Sequence, residues 1–172
     1  EQNVVKASYA LVVGGSHQLI YGYSASISGG RYNTIYSAYS SVAGGEEARV
    51  EGSYAHISGG QNHYATGSYS TITGGIANSA FGTYSSVNGG ELNLVSGDYG
   101  AVGGGLMNSA NGLMSFAVGT YAQVTDDYAA AFGFSGENCY SMGDSTVNLC
   151  TKVEGLYHNG IKLNSISWTN DI

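Results

Sequence analysis

Seven Gly-Gly pairs, beginning at Gly14, Gly29, Gly44, Gly59, Gly74, Gly89 and Gly104, recur every fifteen residues without a slip. A fixed period of this kind marks a solenoid or array, in which each repeat is one unit that buries its apolar face only against its neighbours. Aligned on the pairs, the rest of the sequence falls into columns. Two residues before each pair stands a β-branched residue: Val12, Ile27, Val42, Ile57, Ile72, Val87 and Val102. Two residues further back the side chain is small (Ala10, Ala25, Ser40, Ala55, Ser70, Ser85, Gly100), and just before it come Tyr9, Ser24, Tyr39, Tyr54, Tyr69, Tyr84 and Tyr99. Six residues after the first Gly lies Ile20, Ile35, Val50, Ala65, Ala80, Val95 or Ala110. Two before that position Asn33, Asn78, Asn93 and Asn108 recur, with Gln18, Ala48 and His63 in the other copies.

The averaged repeat reads S-x-V-x-G-G-x-x-N-x-A-x-G-x-Y. Its S-x-V-x-G and N-x-A-x-G halves each alternate with period two, the pattern of a strand with one buried face. Each coil is therefore expected to hold two short strands joined by Gly-rich corners, with glycine supplying the positive φ those corners need. Coils stacked about 4.8 Å apart pair each strand with its equivalent in the next coil, and seven coils give a column roughly 35 Å tall. Gly14, Gly29, Gly44, Gly59, Gly74, Gly89 and Gly104 are expected to be structural, as are Ile27, Ile57 and Ile72, the largest inward side chains of their column. So thin a core buries little apolar surface per chain, which points to further gain from oligomerisation, with the Tyr column at an interface or its rim.

Composition decides which partners this solenoid can take. The 28 Gly could belong to a flexible linker, but a linker would not carry Val, Ile and Tyr at fixed spacing. With 5 Lys plus Arg against 12 Asp plus Glu, the net charge is −7. Binding to nucleic acid or an anionic membrane needs clustered cations, so neither is expected as a partner. No run approaches the roughly 20 apolar residues that span a bilayer, so no membrane insertion is expected in this segment. The chain starts at Glu1 without a visible signal peptide and reads as a mature or excised piece of something longer.

From about Asp126 the period fails. Cys139 to Gly143 echoes the strand motif, Asp144 to Thr151 reads as one more irregular coil, and Val153 to Leu163 reads as a hairpin turning at His158-Asn159-Gly160. The expected division is a solenoid head over 1–133 and a small non-repetitive β cap, or receptor-binding tip, over 134–172. Tyr140, Tyr157, His158 and Trp168 are the candidate binding residues of that tip, since aromatics are favoured at hot spots. Cys139 and Cys150 fit either a disulfide or two buried thiols, and no zinc spacing is present.

No catalytic constellation emerges. Sugar-cleaving β-helices use paired carboxylates, but Glu46, Glu47 and Glu51 sit at corner or outward positions, and Asp126-Asp127 reads as a turn. His17, His56, His63 and His158 share no metal spacing, and His63 occupies the inward Asn column. The Gly-Gly corners lack the aspartates of calcium-binding nonapeptides, and no phosphate loop occurs. The expectation is a non-enzymatic chain without a cofactor.

The S-x-A-x-G and N-x-A-x-G alternation resembles the head repeats of YadA-like trimeric autotransporter adhesins, and of related trimeric fibres including phage tail fibres, over roughly residues 8 to 133. The match is closest at Ser115-Phe-Ala-Val-Gly119 and Ala129-Ala-Ala131-Phe-Gly133, where Ala117 and Ala131, like Gly119 and Gly133, are 14 residues apart, the family's usual coil length. Most coils here instead have 15 residues, with an extra Gly at the corner. The resemblance implies a left-handed parallel β-roll forming a homotrimer, extracellular, at a bacterial surface or a fibre or virion tip, attaching to a host or prey cell-surface glycan or protein. Three alternatives stand beside adhesion: a phage or viral receptor-binding segment, a structural spacer, and an ice-binding solenoid. The last is suggested by the outward hydroxyl pairs Ser26/Ser28 and Thr71/Thr73 with Ser86/Asn88, broken at Leu11/Val13, His56 and Ala101/Gly103.

Overall fold

The computed structural model describes residues 2–134 and 138–150, together with the backbone of Leu156–His158 and Ile161–Leu163. Strands that alternate inward and outward every two residues can close a core only by facing one another, and the chain does this as a parallel β-solenoid. One ten-stranded sheet runs from Val4–Val5 through Leu19–Ile20 and Thr34–Ile35 to Cys139–Tyr140. The other runs from Leu11–Val12 through Ser26–Ile27 to Val147–Cys150. Successive strands alternate between the sheets, so each coil adds one strand to each, and neighbours within a sheet are parallel with like columns opposed, as in Ile20↔Ile35↔Val50 and Ile57↔Ile72↔Val87. No helix occurs among the described residues.

The expected inward columns form the core. Ile20, Ile27, Ile35, Ile57, Ile72, Val87 and Val95 are wholly buried between the sheets. Burial of each such side chain stabilises by roughly 1.5–3 kcal/mol before the ordering of its coil is charged against it.

A third parallel column, not expected from the alternation, follows each Gly-Gly pair: single bridges link Ser16, Arg31, Glu46, Gln61, Ile76, Glu91 and Leu106. The Gly-Gly corner is thus a continuous bonded edge. Within each pair it is the second glycine that the fold needs. At Gly60, φ is +93, and an added Cβ would lie 2.4 Å from the Gly75 oxygen and 2.3 Å from His63 Nε2. A Cβ on Gly59 would meet nothing within 4 Å. The first glycine, used above to mark the repeat, is the less constrained of the two.

The sheets do not stop at the boundary expected at 133. From the corner after Val102 the coil shortens to 14 residues, with Gly105↔Gly119 and Ser109↔Gln123 paired, and then Ala117↔Ala131 and Gly119↔Gly133 as the spacing suggested. A 17-residue coil then adds Cys139–Tyr140 and Val147–Cys150. Cys139 and Cys150 form a disulfide, Cα–Cα 5.6 Å, that ties the last strand of one sheet to the last strand of the other. Beyond it, Leu156–His158 pairs antiparallel with Ile161–Leu163, His158 opposite Ile161. The turn residues Asn159 and Gly160 lie outside the described residues.

Candidate binding surface

Each coil reverses direction twice, and at both reversals a non-glycine residue holds positive φ. At one edge these are the column tyrosines, Tyr39, Tyr54, Tyr69, Tyr84 and Tyr99, with φ between 56 and 60. At the Gly-Gly edge they include Tyr32, Glu47, Asn62, Ala77 and Leu92, with φ between 53 and 58. A left-handed conformation costs a bulky residue roughly 1–2 kcal/mol. What it supplies is a reversed peptide: most turn amides donate forward to the next coil, whereas Tyr69 N donates back to the Ser53 oxygen (2.9 Å) and Ala77 N back to the Gln61 oxygen (2.8 Å). Each edge is thereby bonded in both directions.

The left-handed tyrosine points its ring outward, and the in-register repeat brings each ring over the next. From Tyr39 to Tyr99 the centroids are 4.7–5.0 Å apart and the planes within 10° of parallel. Tyr9 and Tyr23 extend the row with edge-on contacts. The five stacked rings remain about half exposed, Tyr69 at 45% and Tyr99 at 53%. Because stacked rings cover one another's faces, the row presents ring edges and hydroxyls to solvent, repeated once per coil. Aromatics elsewhere are capped differently: Lys6 lies over Tyr21, Arg31 over Tyr32 and Arg49 over Tyr36.

Inside the Gly-Gly edge runs a second ladder. Asn78 Nδ2 donates to the Gly74 and Gly90 oxygens (both 2.9 Å), while its Oδ1 accepts the Asn93 amide (2.9 Å). Asn33, Asn93 and Asn108 repeat the arrangement. His63, in the same column, is wholly buried and accepts the Asn78 amide at Nδ1 (3.1 Å). That bond places the ring's proton on Nε2, where it faces the backbone of Gly59 and Gly75 in poorer geometry than the asparagines achieve. Burial disfavours the imidazolium and lowers the His63 pKa below its ordinary value. At the tyrosine edge the inner column is less well served, since the buried hydroxyls of Ser70, Ser85 and Ser115 have no hydrogen-bond partner.

The residues considered for chemistry do not converge. Glu46 is paired with Arg31, and Glu51 accepts from Arg49 Nε (2.6 Å), whose pKa is raised by that hydrogen bond and by the charge of Glu51. Asp126 Oδ2 accepts the Gly143 amide and Asp127 Oδ1 the Leu113 amide, so both carboxylates shape the chain reversals. His56 bridges Ser41 and Ser58 on an outer face, and His17 stacks on Tyr32. Among the described residues no group of three or more His, Cys, Asp or Glu could hold a metal, and no helix is long and apolar enough to cross a membrane.

Of the expected tip residues, Tyr140 lies exposed on the last strand of its sheet, its hydroxyl accepting from Asn138 Nδ2 (2.9 Å). Tyr157 and His158 are placed by backbone alone, in the antiparallel pair, and Trp168 lies outside the described residues. The stacked row was legible in the sequence only as a column; its ring geometry follows from the left-handed backbone, which tyrosine itself does not announce. Compared with known protein families and with curated proteins, the sequence matches no family model and no curated protein.

Proposed function

We propose that this chain is the head of a trimeric extracellular fibre, a left-handed β-roll that attaches to a cell-surface glycan or matrix protein and transforms nothing. The observation that carries the reading is the tyrosine row: a rigid, half-exposed aromatic column on a soluble scaffold is surface of the kind that mediates association. The Cys139–Cys150 disulfide fits the same reading, because such bonds persist in oxidising compartments. A phage or viral receptor-binding segment is the same proposal with a different carrier. The test is native mass by light scattering on a sizing column, followed by a glycan array on the same material. A trimer that binds defined glycans supports the reading; a monomer removes its structural premise.

A second reading, ice binding, is favoured by one observation. The outer face of the second sheet aligns Ser26, Ser41, His56, Thr71 and Ser86 in register, one polar side chain per coil. Thermal hysteresis separates it from adhesion.

A further inference from the structure

Over five consecutive coils, the segments 22–28, 37–43, 52–58, 67–73 and 82–88 contain no Asp, Glu, Lys or Arg. These segments build the tyrosine edge and the second sheet. The charged residues of the same coils, Arg31, Glu46, Glu47, Arg49, Glu51 and Glu91, all fall in the other half of the repeat, on the Gly-Gly edge and the first sheet. In a chain of net charge −7 this is a strong division. It coincides with the division in aromatic capping, since the three cations over rings serve Tyr21, Tyr32 and Tyr36.

We infer that the tyrosine edge is the surface at which copies of this chain pack against one another, three edges converging on a common axis with the charged Gly-Gly edges turned to water. This rests on the trimeric reading above and names the surface that builds the trimer. Three observations select a second copy as the occupant. The edge carries no charge from the first of these segments to the last, and Asp98 beside Tyr99 is the first charge met beyond them along it, so like-charged chains approach along the five coils without repulsion. Its ring faces are already covered by stacking, which leaves sugars or bases no aromatic face to lie on, whereas ring edges and hydroxyls can interdigitate with their own kind. Finally, a copy shares the coil rise, so a contact made at one coil recurs at every coil; a partner of another period would fall out of step within a few. The five stacked rings still expose roughly 500 Å², and the residues flanking them bring this toward the roughly 800 Å² that each partner contributes to a stable interface.

The experiment uses the full chain and a double variant, Tyr54→Asp with Tyr69→Asp, because Asp is among the residues that tolerate a left-handed backbone. The matched control is Leu92→Asp, an exposed left-handed position on the opposite edge. Light scattering is expected to give a trimer for the parent and for Leu92→Asp, and a folded monomer for the double variant over at least a hundredfold range of concentration. A folded double variant that stays trimeric overturns the surface and leaves the trimeric reading standing. A monomeric parent overturns both. Should the double variant fail to fold, nitration of the parent trimer decides: Tyr54, Tyr69 and Tyr84 are expected to be protected relative to Tyr64 and Tyr140. Equal labelling of all five overturns the surface.

Discussion

The two edges of the solenoid solve one problem in two ways. Both turn the chain through a left-handed residue, Ala77 at one and Tyr69 at the other, and both send that residue's amide back to the previous coil. The Gly-Gly edge is then locked from inside, by asparagine side chains that bond the corner peptides of two coils. The tyrosine edge is locked from outside, by ring stacking, and its inner column leaves hydroxyls without partners. A buried polar ladder specifies register strongly because each missing bond is costly. An exposed aromatic row specifies it more weakly but leaves a surface available for association.

The sharpest way to break the inner lock is at its closest approach. Gly60→Ala is expected to destabilise by on the order of 4 kcal/mol, through positive φ and the crowded Gly75 oxygen, whereas Gly59→Ala stays within about 0.5 kcal/mol of the parent. Urea titration of the two variants checks this, and equal losses would refute the assignment of the constraint to the second glycine. Asn78→Ala removes three hydrogen bonds and leaves their partners buried, at a cost of about 3 kcal/mol in the same assay. The outer lock should yield less: Tyr69→Ala loses two stacked contacts and about 2 kcal/mol, compared at equal protein concentration.

His63 sharpens the comparison through pH. Its folded pKa lies below the unfolded value of about 6.5, so at neutral pH neither state binds the proton. As pH falls through about 6.5 the unfolded chain takes up the proton and the folded chain does not, so stability declines until the lower folded pKa is reached. His63→Asn is expected to remove that acid-side slope from thermal melts recorded between neutrality and about pH 5, and to raise stability by about 1 kcal/mol by restoring the ladder. An unchanged slope would place the acid sensitivity elsewhere. The smallest effect belongs to the tyrosine edge's inner column: Ser85→Ala should be neutral or stabilising by up to about 1 kcal/mol, because its hydroxyl is buried without a partner. Ser40→Ala should instead destabilise, since Ser40 Oγ donates to the Gly52 oxygen (2.9 Å).

Much of this was readable before any coordinates. The period, the strand pair in each coil and the buried Val/Ile columns follow from spacing alone, because a two-residue alternation repeated at constant length admits only one inward set. The inward Asn column, with His63 in it, was visible for the same reason. The two glycines of each pair were not distinguishable, since both occur in every coil and only packing against the next coil separates Gly60 from Gly59. Nor was the left-handed tyrosine legible, because the residue type opposes the conformation and is held there by neighbours 15 positions away. The Cys139–Cys150 pairing was legible only as one of two readings, and the coil that carries the sheets to Cys150 only as an irregular one, for a related reason: its 17-residue length breaks the period that reveals all the others.

The open space around the first glycine bears on how the coil length changes. The sheet register slips by one residue between Val102 and Gly105, where the coil changes from 15 residues to 14 without loss of pairing on either side. The slip falls at the Gly103-Gly104 corner, where a Cβ on Gly104 would meet nothing within 4 Å, although its φ of +120 keeps the position for glycine. This position acts as an expansion joint: a residue can be gained or dropped there while the rungs above and below stay aligned. A gene built of such units can lengthen or shorten by whole coils, and gain or lose a single codon at the joint, so that solenoid length becomes a quantity set by copy number rather than by redesign of the fold.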